Sequence, residues 1–96
     1  MFTIIREREF DEVIEQLTIN HSRMNDLDAA IDWALSRAPN RIPNSVQLMP
    51  NYFLWVTDEF YDLEIPIVRI LFKIEGNTVI LLAISEVEPE NEAVFF

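Results

Sequence analysis

The single glycine of this chain, Gly76, stands with Asn77 between two apolar runs, residues 67–74 (IVRILFKI) and 78–84 (TVILLAI). A two-residue Gly-Asn turn joining β-rich apolar segments makes a tight antiparallel hairpin. A hairpin alone is barely stable in water, so further strands or helices must cover one of its faces. The first half of the chain supplies both. Phe2 to Ile5 is a short β-forming run. From Glu9 the period changes, and Phe10, Val13, Ile14 and Leu17 form one helical stripe. Glu9, Asp11 and Glu12 lie in the first turn of that helix, where its dipole favours acids. Asn20-His21-Ser22 breaks it. Asn25 then caps a second helix, with Asp26 and Asp28 in its first turn and Leu27, Ala30, Ile31, Ala34 and Leu35 as its buried stripe. Pro39 ends it.

Between Pro39 and Pro50, with Pro43 in between, no period is sustained, and the segment reads as a connection. Tyr52 to Thr57 is aromatic and β-branched, a strand; Pro89 closes the last one. The order is β-α-α-β-β-β. The expected fold class is α+β, with two N-terminal helices packed on one face of an antiparallel sheet. At 96 residues the chain reads as a single domain spanning 1–96.

Composition removes several chemistries. With no cysteine there is no disulfide scaffold, thiolate metal site or thiol nucleophile. One glycine cannot build a phosphate-cradling loop. Seventeen acids against seven bases give a net charge of −10 and a pI near 4.3. Proteins that bind nucleic acid present basic surfaces to phosphates, so direct nucleic-acid binding is not expected, nor is attachment to an anionic membrane. The longest aliphatic run, Val79 to Ile84, is far short of the ~20 residues that span a bilayer. Met1 to Arg6 does not read as a signal peptide. The expectation is a cytoplasmic protein without cofactor or metal.

Four constellations bear on function. With Gly76 and Asn77 as the loop, Arg69 lies opposite Ile84 and diagonal to Glu86, which makes it either one half of a cross-strand ion pair or an anion contact. Asp58, Glu59, Asp62 and Glu64 crowd one segment that reads as a solvated loop, a partner-binding loop or, lacking a turn glycine, a poor cation site. His21, the sole histidine, falls in the inter-helix turn and reads as an exposed turn residue. Phe53, Trp55, Tyr61, Phe95 and Phe96 are more aromatics than a small core obviously needs. Alternation puts Phe53 and Trp55 on one sheet face, and exposed aromatics on a sheet mark a protein interface.

The order of elements, the run Val68-Arg-Ile-Leu-Phe72 and the hairpin into Leu81-Leu-Ala-Ile84 together resemble the RelE/ParE toxin superfamily. The resemblance implies a small β-α-α-β-β-β toxin neutralised by an antitoxin that wraps it. One branch cuts messenger RNA in the ribosome, the other poisons DNA gyrase. On this resemblance Arg69 matches the arginine that family ribonucleases use near the scissile phosphate. The family's other cations fall at Phe53, Trp55 and Pro89, and its C-terminal tyrosine at Phe95. Stabilising a pentavalent phosphate takes several clustered cations. Arg69 is then the sole catalytic candidate, and the expected function is a non-catalytic member of a toxin-antitoxin-type pair. Its partner-binding residues would be Phe53, Trp55, Tyr61, Phe95 and Phe96, its partner a cognate antitoxin-like or other protein, with homodimerisation a further option. The alternatives are a ribosome-dependent endoribonuclease using Arg69, and an acidic decoy for a basic nucleic-acid-binding protein.

Overall fold

The hairpin around Gly76 forms the centre of the molecule. The structure, a computed structural model, describes residues 1–57 and 65–87. In chain order it contains β1 (Thr3–Arg6), α1 (Arg8–Asn20), α2 (Met24–Arg37), β2 (Ser45–Met49), β3 (Tyr52–Val56), β4 (Val68–Glu75) and β5 (Thr78–Glu86). One five-stranded sheet has the order β1-β5-β4-β3-β2. Glu75 faces Thr78 across the turn, and Gly76 has φ +58° while Asn77 keeps a negative φ. That is the pattern of a type II′ turn, whose twist suits a two-residue hairpin and whose first position favours glycine.

The expected α+β class holds, with two differences in the sheet. The first is an extra strand. Ser45 to Met49, read from sequence as part of a connection, pairs antiparallel with β3, Ser45 opposite Trp55 and Val46 opposite Leu54. Pro50 and Asn51 make the turn between them, and Asn51 sits at φ +73°. Proline followed by a residue of positive φ is the signature of a type II turn. The second is direction. β1 runs parallel to β5, Thr3 opposite Thr78 and Arg6 opposite Leu81, so the sheet is mixed rather than wholly antiparallel. The two helices carry the chain from one edge back over the sheet, and a crossover of this length permits parallel pairing.

A bulge sets the register of the central pair. Phe72 faces Leu81, but Leu71 faces Ala83, so Leu82 is the extra residue on β5. Beyond it every partner moves by one, and with side-chain period 2 a shift of one exchanges faces. Arg69 therefore meets Ser85 rather than Ile84, and Ile84, only 5% exposed, turns into the core opposite Ile70. Val68, Ile70 and Phe72 of β4 join Val79, Leu81 and Ile84 of β5 beneath Phe10, Ile14 and Leu17 of α1 and Met24, Leu27, Ile31 and Leu35 of α2. These helix positions are spaced three and four apart, one stripe on each helix. The helix ends sit close to expectation, with α2 beginning at Met24 instead of after Asn25.

A charged cluster ties β1 to the helices. The Arg6 guanidinium donates to Asp28 at 2.6 Å and Asp32 at 2.7 Å, one turn apart on α2, and lies 3.6 Å from Asp11 of α1. It also sits over the Phe10 ring, 5.3 Å from its centroid. Burial works against the arginine's charge, yet the hydrogen bonds and charges of Asp28 and Asp32 outweigh it and raise its pKa above the ordinary value.

His21 closes α1, its backbone N–H donating to the Leu17 carbonyl at 2.9 Å. It is not the exposed turn residue expected. Its side chain is 17% exposed, and Nε2 lies 3.0 Å from a Glu86 carboxylate oxygen at the end of β5. Glu86 is more open to water, so this contact is worth little. Glu86→Gln should lower stability by less than about 1 kcal/mol in a urea titration.

Candidate functional site

Two helices with axes ~8–10 Å apart cannot cover five strands spaced ~4.8 Å apart. What they leave open is a cleft of about 450 Å³ between α2, the chain after it and the end of β3. Ala30 and Ala34, expected in the buried stripe of α2, line this cleft instead, and their small side chains leave its wall recessed. Trp33 and Trp55, both tryptophans of the chain, face it from either side. Trp33 is 62% exposed, and the Arg37 guanidinium stacks over it at 4.5 Å from the ring centroid. Arg41 completes the rim.

Thr57 holds the β3 end of the cleft. Its N–H donates to the Val68 carbonyl at 2.9 Å and its Oγ1 accepts from the Val68 N–H at 3.0 Å, extending the β3–β4 pairing by one residue. Thr57 is a buried polar residue, and these bonds satisfy it.

The expected aromatic face is corrected by this geometry. Phe53 and Trp55 point toward the helices, because they pair with Phe72 and Ile70, whose side chains are in the core. Phe53 stacks on Phe72 with ring centroids 5.4 Å apart and planes at 13°; Phe72 is wholly buried in the core and Phe53 is partly buried against it. Of the two, Trp55 is the one that lines the cleft. Tyr61, Phe95 and Phe96, the acids Asp58 to Glu64, and Pro89 lie outside the described residues.

Arg69 sits on the opposite face of the sheet, which no helix among the described residues covers. It stands across from Val56 on one side and Ser85 on the other. With Leu48, Leu54 and Leu71 it lines a shallow hollow of about 290 Å³. The expected ion pair with Glu86 does not form, because the bulge places Glu86 on the helix side, opposite Val68. Phe53 and Trp55 are on the wrong face to hold a family cation beside Arg69. The outward positions of β3 are Tyr52, Leu54 and Val56, which carry no charge either. Lys73, four residues along β4, is bound by Glu75 at 3.0 Å, which raises its pKa.

Sequence reasoning missed Trp33, Arg37 and Arg41. A signal was present: residues 33–57 carry no acid at all, in a chain with seventeen. The β2–β3 hairpin and most of the cleft's lining come from that acid-free stretch.

No family model matches the chain, and no curated protein matches it significantly in sequence. A solved structure does match. The chain is similar to a chain in the crystal structure of the intact E. coli RelBE toxin-antitoxin complex, with a TM-score of 0.62 over 92% of this chain and 99% of that one. Sequence identity is 11%. The chain has the RelE-like toxin fold.

Proposed function

We propose that this RelE-fold chain is one member of a toxin-antitoxin-type pair that acts in the cytoplasm by binding a protein, without catalysis. The observation that carries the reading is the open cleft with both tryptophans on its walls. Rigid aromatic anchors in a desolvated pocket are where binding energy concentrates, and a segment of an antitoxin-type partner would seat an apolar side chain between Trp33 and Trp55. Phe53 acts behind Trp55, packing beside it on the sheet. Tyr61, Phe95 and Phe96 are kept as proposed partner contacts on the sequence alone, being outside the described residues.

The non-catalytic part of the reading is supported by the surroundings of Arg69. Among the described residues its cross-strand neighbours are uncharged, and the nearest cation along its strand, Lys73, is held by Glu75. One exposed arginine supplies little of the charge that phosphoryl chemistry needs. The ribonuclease alternative keeps Arg69 in its favour, since it faces open solvent on the uncovered side. The acidic-decoy alternative rests on the 58–64 segment and the C-terminal acids, outside the described residues.

The test is co-purification of the tagged chain from its native lysate, followed by titration of the captured protein against variants. Ala34→Gln narrows the cleft from a half-buried position that faces the open space, and Trp33→Ala removes an exposed anchor, so both variants should stay folded by circular dichroism. Each is expected to weaken binding by about 10- to 100-fold, the range of a hot-spot residue. Arg69→Ala should bind like the parent. Growth arrest or messenger-RNA cleavage on expression, abolished by Arg69→Ala, would overturn the reading in favour of the nuclease.

A further inference from the structure

The outer edge of the sheet is β2, and its features set it apart from the rest of the surface. β1 is the other edge and is held to α2 through Arg6, while β2 has, among the described residues, a neighbour only on the β3 side, so part of its backbone N–H and C=O groups point outward with no described strand to meet them. Natural edge strands are usually guarded by charged side chains. This one, Ser45-Val-Gln-Leu-Met49, has none, and neither does any residue from Ile42 to Thr57. Val46 is 60% exposed, Leu48 55% and Met49 55%.

We infer that β2 is a docking edge for a second copy of this chain, which pairs antiparallel with it across a two-fold axis. Charge argues for this occupant. Two chains of net charge −10 repel each other wherever their acids face, and the acid-free stretch 33–57 is where that repulsion is least. β2 lies inside that stretch. An antiparallel pairing of identical strands is self-complementary, so it closes at two copies instead of propagating.

The register follows from the ends of the strand. Pro43 and Pro50 flank β2, and neither has an N–H to donate, which confines pairing to residues 45–49. Centred on that segment, the axis passes through Gln47, with Gln47 facing its copy and Val46 facing Leu48 of the second copy. Val46 lies on the outer face beside Leu54, and Leu48 borders the same hollow. The four side chains would form one apolar row across the join. The bulge at Leu48 and the strand's five residues keep the contact small, so the dimer is a weak one.

Sedimentation velocity of the full chain between about 5 and about 500 µM tests this, the range in which small interfaces associate. The expected result is a monomer-to-dimer shift within that range, stronger at high salt because screening reduces the repulsion. Val46→Lys with Leu48→Lys changes two exposed positions and lowers the net negative charge, so general repulsion falls. Association should nevertheless weaken by at least about 10-fold, one decade of dissociation constant. The chain has no cysteine, so Gln47→Cys gives a single reporter thiol. Under mild oxidation it should cross-link efficiently, while Asn25→Cys on exposed α2 surface should not. A monomer at every concentration, a dimer untouched by the two lysines, or a β2 edge that takes only another protein's strand would each overturn the proposal.

Discussion

Replacing Arg6 with methionine is expected to lower stability by about 2–4 kcal/mol, a fall in melting temperature on the order of 10–20 °C for a domain this size. Methionine keeps much of the apolar stem and removes the guanidinium that sits over Phe10, so the loss reports on charge. The reason for the large effect is what remains behind. Asp28 and Asp32 approach the same guanidinium within 2.7 Å, and Asp11 stands nearby. Without Arg6, carboxylates gathered on a partly covered helix face repel one another with no cation between them. A second substitution separates this from lost packing. Arg6→Met combined with Asp28→Asn and Asp32→Asn should recover more than half of the loss in chemical denaturation. If the triple variant is no more stable than Arg6→Met alone, the cluster is not what holds β1 to α2.

Ile84→Asp is expected to unfold the protein, whereas Ala83→Asp should cost less than about 1 kcal/mol. The contrast comes from Leu82 alone. With the bulge, Ile84 faces Ile70 under the helices and Ala83 stands exposed on the open side. A carboxylate at Ile84 would be buried without a partner, at a cost of several kcal/mol against a total stability of about 5–10. In an unbroken hairpin the two positions would trade faces and the outcomes would reverse. Far-ultraviolet circular dichroism of the two variants under native conditions decides between the registers.

The class of fold was legible because its strongest signals are local. Gly76-Asn77 between two apolar runs specifies the hairpin, and the spacing from Phe10 to Leu17 specifies α1, whatever the rest of the chain does. The bulge was not legible. Residues 78–84 read as one unbroken apolar run, and period alone offers no sign that Leu82 is the residue to be set aside. That single residue decided which partner Arg69 has, and so the ion pair with Glu86 was misplaced. The strand β2 was hidden by three prolines around it, although Pro50-Asn51 carries the turn that makes it. Arg6 and its aspartates were invisible for another reason: residues more than twenty positions apart meet only once α2 is laid across the sheet. The cleft was half legible. Trp55 was singled out for its size, but its face was misjudged, and Trp33 on α2 looked like an ordinary exposed helix position.

The parallel pairing of β1 with β5 has a consequence for how the molecule is made. Thr3 to Arg6 leave the ribosome 75 residues ahead of their strand partners, Thr78 to Leu81. At ordinary elongation rates of ~5–20 residues per second, the first strand waits about 4–15 s for its neighbour to be synthesised. During that time the Arg6 cluster with α2 is already available, because Asp28 and Asp32 follow Arg6 by only 22 and 26 residues. The N-terminal segment is thus tethered to a helix before it has a sheet to join. Closing the sheet then resembles docking a pre-positioned strand more than searching for one, which reduces the loop-closure entropy that so distant a pairing would otherwise cost at the end of folding.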